Sequence, residues 1–157
     1  MRFILNNTVL SNFAAVSQLR LIKEAMGDIF TTVEVYEEIL DGIMKGYQFL
    51  KEIEEVISYE GKEGWISLLS LTNQKEHSLM VEMLPRVKQG EASCIAIALC
   101  RGMVFVSDDW KAREIAKGKS LLFSGTIGIL KICTDDGIIP LTEGNRILSA
   151  MIDKGYY

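Results

Sequence analysis

Short apolar segments alternate with longer segments of helical periodicity along the chain. The segments with the apolar density of strands are Phe3–Leu5, Ile29–Phe30, Trp65–Leu71, Met103–Val106 and Ser120–Phe123. Between them, apolar residues recur every three to four positions, which is the period of an amphipathic helix. This alternation predicts an α/β fold, a doubly wound sandwich with a mostly parallel sheet of four or five strands.

Several helix boundaries can be predicted from local signals. Thr31 and Glu34 have the spacing of a capping box, which predicts that a helix starts there, and a second helix follows it to about Ile57. A helix rich in small residues begins at Glu91 and should end at Gly102, because glycine readily adopts the left-handed conformation that terminates helices. Small side chains would let this helix lie close to the sheet.

Composition limits the size of the fold and the classes of ligand. The 157 residues have room for about one domain, expected to span residues 1–157. The 17 Lys and Arg residues against 21 Asp and Glu residues give a net charge of −4. The whole protein should therefore not attract polyanions, and any phosphate should bind at a local site. Apolar residues make up 48% of the chain, which favours a surface covered by a partner or by a second copy in a homodimer.

The scarcity of histidine and cysteine excludes other chemistry. His77 is the single histidine, so a His-rich zinc site is excluded and any His-dependent nucleophilic triad would have to use this residue. Cys94, Cys100 and Cys133 are odd in number and form no C-x-x-C pair, which argues against a disulfide framework and favours a reducing cytoplasm. No apolar run approaches the ~20 residues that span a bilayer, so we expect no membrane association.

Polar residues follow two of the predicted strands. Asn6 follows the first strand, and Asp108 and Asp109 follow the strand that ends at Val106. In open α/β sheets, ligands collect beyond the carboxyl ends of the strands. Glu91 should lie in the first turn of its helix, where the helix dipole favours a carboxylate. Acidic residues at such places also serve as helix caps, and for Asp108 a cap is the alternative interpretation.

Five segments carry a resemblance to a known family. They are Leu5–Phe13, Val35–Ile39, Gly90–Ala98, Val106–Asp109 with Ala112–Arg113, and Gly125–Leu130. In this order they resemble the PIN-domain nucleases, in particular the prokaryotic subgroup related to the toxin-type ribonucleases. The resemblance extends from residue 3 to about residue 139. It implies a PIN-like three-layer α/β/α sandwich.

The resemblance also implies a metal-dependent endoribonuclease that hydrolyses RNA. Carried over to this chain, its catalytic residues would be Asn6, Glu38, Glu91 and Asp109, which would hold Mg²⁺ or Mn²⁺ with Asp108 as a helper. Oxygen ligands suit Mg²⁺, which keeps several waters and needs only a few carboxylates beside a substrate phosphate. An antitoxin-type protein is the further partner that this family implies.

Asn6 departs from the family pattern, which has an aspartate at this position. Asparagine keeps a carbonyl oxygen but removes one negative charge from the centre of the site. Loss of an outer partner of a metal ligand already costs ~10–100-fold in metal affinity or activity, so this change should cost at least as much. The alternative function is therefore a catalytically degenerate PIN domain that binds RNA or a protein.

Three further residues are candidates for substrate binding: Thr8, Arg113 and Thr126. Both threonines follow strand or turn positions where a helix cap is the alternative, and Arg113 would belong to a local basic rim that also contains Lys111. A receiver-like signalling domain is a third interpretation of paired acids after a strand. The order of the chain argues against it, because the acidic pair follows a late strand.

Overall fold

The structure is a computed structural model that describes residues 1–156; Tyr157, the last residue of the expected 1–157 domain, lies outside the described residues. The strands are β1 (Arg2–Leu5), β2 (Asp28–Thr32), β3 (Ile57–Ser58), β4 (Ile66–Leu69), β5 (Val104–Val106) and β6 (Phe123–Ser124). The helices are α1 (Asn7–Ala15), α2 (Leu19–Ala25), α3 (Val33–Met44), α4 (Lys51–Val56), α5 (Gln74–Met83), α6 (Gln89–Arg101), α7 (Trp110–Gly118), α8 (Thr126–Asp135) and α9 (Leu141–Asp153), with a 3-10 turn at Gln48–Leu50.

The strands form one sheet in the order β3-β4-β2-β1-β5-β6. Every pairing is parallel, and β1 lies inside the sheet between β2 and β5. The described residues thus contain six strands where four or five were expected. The additional strand is β3, which has only two residues and directly follows α4, so its sequence resembles the end of that helix.

Helices flank the sheet in a three-layer α/β/α sandwich, as the sequence predicts. α6 packs against β1, β2 and β5 and also against α3 and α5. The close approach of α6 to the sheet depends on its small buried residues, among them Ala92, Ala96 and Ala98. Gly102 ends the helix in the left-handed conformation with φ 63°, which confirms the predicted stop.

One predicted cap is wrong by one residue. The side chain that caps α3 belongs to Thr32, whose Oγ1 accepts a hydrogen bond from the backbone N–H of Val35 at 3.2 Å. Thr31 is still part of β2, and its hydroxyl donates to the backbone carbonyl of Leu5 at 2.7 Å. The capping box of Thr31 and Glu34 is therefore absent, because β2 continues further than its apolar pattern suggests.

Candidate functional site

A cleft of about 1030 Å³ opens beside the ends of β1 and β5. Thr8, Glu38, Glu91 and Asp109 line it, together with the α5–α6 loop and the start of α7. The backbone N–H of Asn6 donates to the carbonyl of Val106 at 3.1 Å, so the segments that follow β1 and β5 leave the sheet side by side. The chain adds strands on both sides of β1, and α/β sheets bind ligands at such a switch point.

Glu38 reaches the cleft from α3 because a glycine stands opposite it on α6. The backbone N–H of Gly90 donates to Glu38 Oε1 at 3.1 Å. A Cβ atom at position 90 would lie 2.5 Å from the same oxygen, which is too close for any real contact. The absence of a side chain at Gly90 therefore lets the carboxylate lie against the first turn of α6.

Glu91 is the most enclosed acid of the cleft. It lies in the first turn of α6, and only 8% of its surface is exposed. Its Oε2 is buried and has no hydrogen-bond partner. An unpartnered buried carboxylate oxygen is costly, and such an atom requires an explanation, for example a bound ion or a water.

The acids of the cleft influence one another electrostatically. Burial raises the pKa of Glu38, and the charge of Glu91 raises it further. Burial also raises the pKa of Glu91, with a smaller contribution from the charge of Asp109. Lys88 opposes both shifts by lowering the pKa of Glu38 and of Glu91. Glu91 therefore interacts with both other acids, and Lys88 is a nearby positive charge for two of the three.

The two neighbouring aspartates after β5 have different surroundings. Asp109 lines the cleft and caps α7, since its Oδ1 accepts from the backbone N–H of Ala112 at 2.8 Å. Asp108 accepts from Asn12 Nδ2 at 2.8 Å and from the backbone N–H and hydroxyl of Thr126, the N–H at 2.8 Å. The cap that the sequence suggested for Asp108 is provided by Asp109, and both carboxylate oxygens of Asp108 are already hydrogen-bonded.

Asn6 is buried, with 1% of its surface exposed, and is not among the residues that line the cleft. Its Oδ1 accepts from the hydroxyl of Thr8 at 2.7 Å, and Thr8 Oγ1 in turn accepts from the backbone N–H of Asp108 at 3.0 Å. Thr8 therefore connects the segments after β1 and β5 and makes no cap for α1. The Nδ2 of Asn6 is buried without a partner, a donor that a carboxylate at this position would not have.

The described acids fit a divalent ion only in part. Within residues 1–156, no three His, Cys, Asp or Glu side chains lie close enough together to hold one ion. Mg²⁺ is usually bound by one or two carboxylates, several waters and a substrate phosphate, and therefore does not need a complete protein cage. Glu91 Oε2 is a buried oxygen without a partner beside a second acid, so the cleft fits such a sparse site.

The other two candidate substrate contacts lie apart from the residues that line the cleft. Thr126 is fully buried and bonded to Asp108. The guanidinium of Arg113 stacks over the ring of Phe123, with its Cζ 5.1 Å from the ring centroid. Sequence reasoning missed the role of Lys88, which lies three residues before Glu91, and the role of Gly90, which was noted only as the start of the segment Gly90–Ala98.

Comparison with known proteins agrees with the fold. The DUF3368 family, a PIN domain, matches residues 2–157 of the chain. The crystal structure of PAE2754 from Pyrobaculum aerophilum is similar, with a TM-score of 0.58 and 13% identity over 85% of this chain and 96% of that one. The structure of VapBC-1 from nontypeable Haemophilus influenzae has a TM-score of 0.56 and 12% identity over 81% of this chain and 99% of that one. No curated protein matches in sequence.

Proposed function

The chain belongs to the PIN-domain family, and we propose that its acidic cleft is the centre of an endoribonuclease that depends on Mg²⁺ or Mn²⁺. The main support is that Glu38, Glu91 and Asp109 reach one cleft from α3, α6 and the β5–α7 turn. Under this proposal, residues 1–157 form one PIN-like domain. The receiver-like alternative has no support in the family match.

The metal site of this proposal draws on Glu38, Glu91 and Asp109 and on the neutral amide oxygen of Asn6; one or two of these carboxylates would hold the ion, and waters and a substrate phosphate would complete its shell. When bound, the ion supplies Lewis acidity, which lowers the pKa of a water and stabilises charge on the phosphate. Asp108, the predicted helper, has an indirect role in this proposal. Its backbone N–H donates a hydrogen bond to Thr8 Oγ1, and the Thr8 hydroxyl donates a hydrogen bond to Asn6 Oδ1. These bonds fix the orientation of the Asn6 oxygen.

The reaction is hydrolysis of a phosphodiester. The oxygen of a water forms a new bond to phosphorus, and the bond from phosphorus to the leaving ribose oxygen breaks as that oxygen takes a proton from a solvent water. The proton that the attacking water loses passes to a carboxylate of the cleft that does not hold the ion. Thr8 is the proposed substrate contact in the cleft, and Arg113 and Thr126 stay predictions.

A second function is favoured by one observation, the replacement of the family's aspartate by Asn6. A site with one charge fewer binds a divalent ion more weakly, and a chain with such a site would act as a catalytically degenerate module for RNA or protein binding. The two functions differ in whether the chain as it stands cleaves RNA.

Cleavage of a single-stranded RNA with Mn²⁺ or with a chelator tests the proposal. We expect slow, Mn²⁺-dependent cleavage that Asp109→Asn decreases at least ~10–100-fold, because the variant loses a ligand charge. Asparagine is also a good helix cap, so α7 should keep its N-terminal cap. The matched control is Glu37→Gln, an exposed acid next to Glu38 that does not line the cleft.

Two results of this experiment would decide against the nuclease. The nuclease proposal would be contradicted if cleavage persisted in chelator. It would also be contradicted if Asp109→Asn and Glu37→Gln changed the cleavage rate equally. Metal-dependent cleavage that only Asp109→Asn abolishes would refute the degenerate module.

Partners other than RNA belong to the same proposal. The resemblance to toxin-type ribonucleases and the similarity to VapBC-1 support an antitoxin-type partner. Leu122 and Ile127 are large exposed apolar residues that a second copy could cover in a homodimer.

No helix of residues 1–156 is long and apolar enough to cross a bilayer. Cys94, Cys100 and Cys133 are free thiols, which supports a reducing cytoplasm as the location.

A further inference from the structure

A second groove continues the acidic cleft past α3. It has a volume of about 500 Å³ and is lined by the start of α1, one face of α3 and the 3-10 turn before α4. Glu38 and Lys88 line both hollows. The two hollows therefore meet at these residues and form one path, which we call the strand path, with the acids near its middle.

Exposed aromatic side chains line the strand path on both sides of the acids. Trp110 is 72% exposed and lines the acidic cleft directly after Asp109. Tyr47 is 58% exposed and lines the second groove next to Phe49, with the ring centroids 6.4 Å apart and the planes at 74°. Large aromatic side chains usually bury most of their surface, so these rings are available to a ligand.

The cations of the strand path are also unengaged. Arg86, Lys88 and Lys111 line the cleft, Lys45 lines the second groove, and all four are exposed. None of the four takes part in an ion pair within residues 1–156. Glu91, by contrast, is buried and Glu38 is half-buried. Apart from the exposed Asp41, the negative charge lies at the floor and the free positive charge at the rim.

We propose that the strand path binds a single strand of RNA, with one base stacked on Trp110 and another on Tyr47 at the opposite side of the acids. The identity of the ligand as RNA rests on the proposed function. Grooves that bind single strands combine cations along the backbone with aromatic side chains on which the bases stack. A duplex cannot bind in this way, because its bases are paired and stacked on each other.

The assignment gives each rim residue a distinct role. Lys88 and Lys111 bind phosphates near the acids, and Lys45 and Arg86 bind phosphates further along the path. Trp110 and Tyr47 hold the bases on either side, so the phosphodiester between them lies over Glu38, Glu91 and Asp109. Both aromatic residues are therefore positioning residues for the strand.

Binding without divalent ions separates this inference from catalysis. A short fluorescent single-stranded oligoribonucleotide is titrated in chelator at low salt with the native chain and with Trp110→Leu, Trp110→Phe, Tyr47→Leu and Tyr47→Phe. Because stacking of a base contributes binding free energy, each leucine variant should bind the oligoribonucleotide about 5- to 100-fold more weakly than the native chain. Each phenylalanine variant should keep most of the affinity. Leu141→Ala is the matched control, an apolar residue that is 67% exposed on α9 and should leave the affinity unchanged.

The leucine variants distinguish stacking from apolar contact, since leucine is apolar but has no π face. A duplex of the same sequence should bind weakly and equally to the native chain and to both leucine variants. Thermal unfolding of each variant should match that of the native chain, because both side chains are exposed.

Three results would overturn the inference: no binding of the single strand at low salt, equal affinity of the leucine variants and the native chain, or the same loss for the duplex. Binding with the expected pattern in a chain that never cleaves RNA would refute the proposed catalysis and leave the inference intact. Cleavage by a chain whose affinity is insensitive to Trp110 and Tyr47 would refute only the inference.

Discussion

Single residues give the cleft a negative charge that the protein neutralises only in part. The carboxylate of Glu91 is buried and that of Glu38 is half-buried, and each has an acidic neighbour that raises its pKa. The opposing groups are Lys88 and the backbone N–H of Gly90, which donates to Glu38. An unfavourable charge arrangement of this kind is typical of functional sites, where stability is lost in exchange for binding.

Removal of one of these charges should stabilise the protein when no metal is present. The raised pKa of Glu38 means that the native state binds more protons than the unfolded state between the ordinary and the raised pKa, so stability falls as the pH rises through this window and remains lower above it. Glu38→Gln has no charge to lose and keeps an oxygen for the N–H of Gly90. We expect a higher midpoint of thermal unfolding at neutral pH in chelator, with the difference from the native chain shrinking in acid.

Glu37→Gln is the control for this measurement, because its side chain is an exposed neighbour on α3. If Glu38→Gln is less stable than Glu37→Gln at neutral pH, repulsion between the carboxylates of the cleft does not destabilise the metal-free protein.

Among the secondary-structure elements, α5 and α6 are joined by a buried ion pair. The carboxylate of Glu76 on α5 is fully buried, and Arg101 at the end of α6 donates to it through Nε at 2.7 Å and Nη2 at 3.0 Å. The backbone N–H of Thr72 donates to the same carboxylate at 2.8 Å. The burial of Glu76 could not be predicted from the sequence, because its partner lies on another helix. The pair holds together the two helices whose loop lines the cleft.

Loss of this ion pair should destabilise the protein strongly. The hydrogen bonds from Arg101 lower the pKa of Glu76 to about 2. Since this value is below that of an unfolded glutamate, the contribution is complete above pH ~5 and is lost as the pH falls to about 2. Glu76→Gln removes the counter-charge of Arg101, whose side chain is 25% exposed, and weakening these charge-assisted hydrogen bonds should cost about 1–3 kcal/mol. Denaturant unfolding at neutral pH and at low pH measures both effects.

The exposed pair of Glu143 and Arg146 on α9 provides the control. Glu143→Gln should change the free energy of unfolding little, since exposed ion pairs contribute little. Equal losses for Glu76→Gln and Glu143→Gln would contradict the role assigned to the buried pair.

For the whole molecule, the parallel sheet explains why distant residues share one cleft. Asn6 and Asp109 follow β1 and β5, and the adjacency of those strands brings the segments that follow them together. The sequence predicted this part of the site, because residues at the ends of strands can be found from apolar patterns and from the order of the motifs. The parallel α/β sandwich was predicted for the same reason.

Features that depend on side-chain direction were not predictable from the sequence. The pattern could not tell that Asp109 would line the cleft while Asp108 bonds to Thr126, because one turn after β5 decides the direction of both. The second groove depends on the 3-10 turn that carries Phe49, and its contact with the cleft arises only in the folded chain. β3 was missed because two residues are too few for a periodic signal.

The most direct test of the central claim, that the cleft is a metal-dependent nuclease weakened by Asn6, is the rate of cleavage of single-stranded RNA by Asn6→Asp in Mn²⁺. Restoring the missing charge should increase this rate at least ~10-fold over the native chain, and Glu91→Gln in the same background should abolish the gain. If Asn6→Asp cleaves no faster than the native chain, or if the double variant cleaves as fast as Asn6→Asp, the claim of a nuclease centre weakened by Asn6 is contradicted.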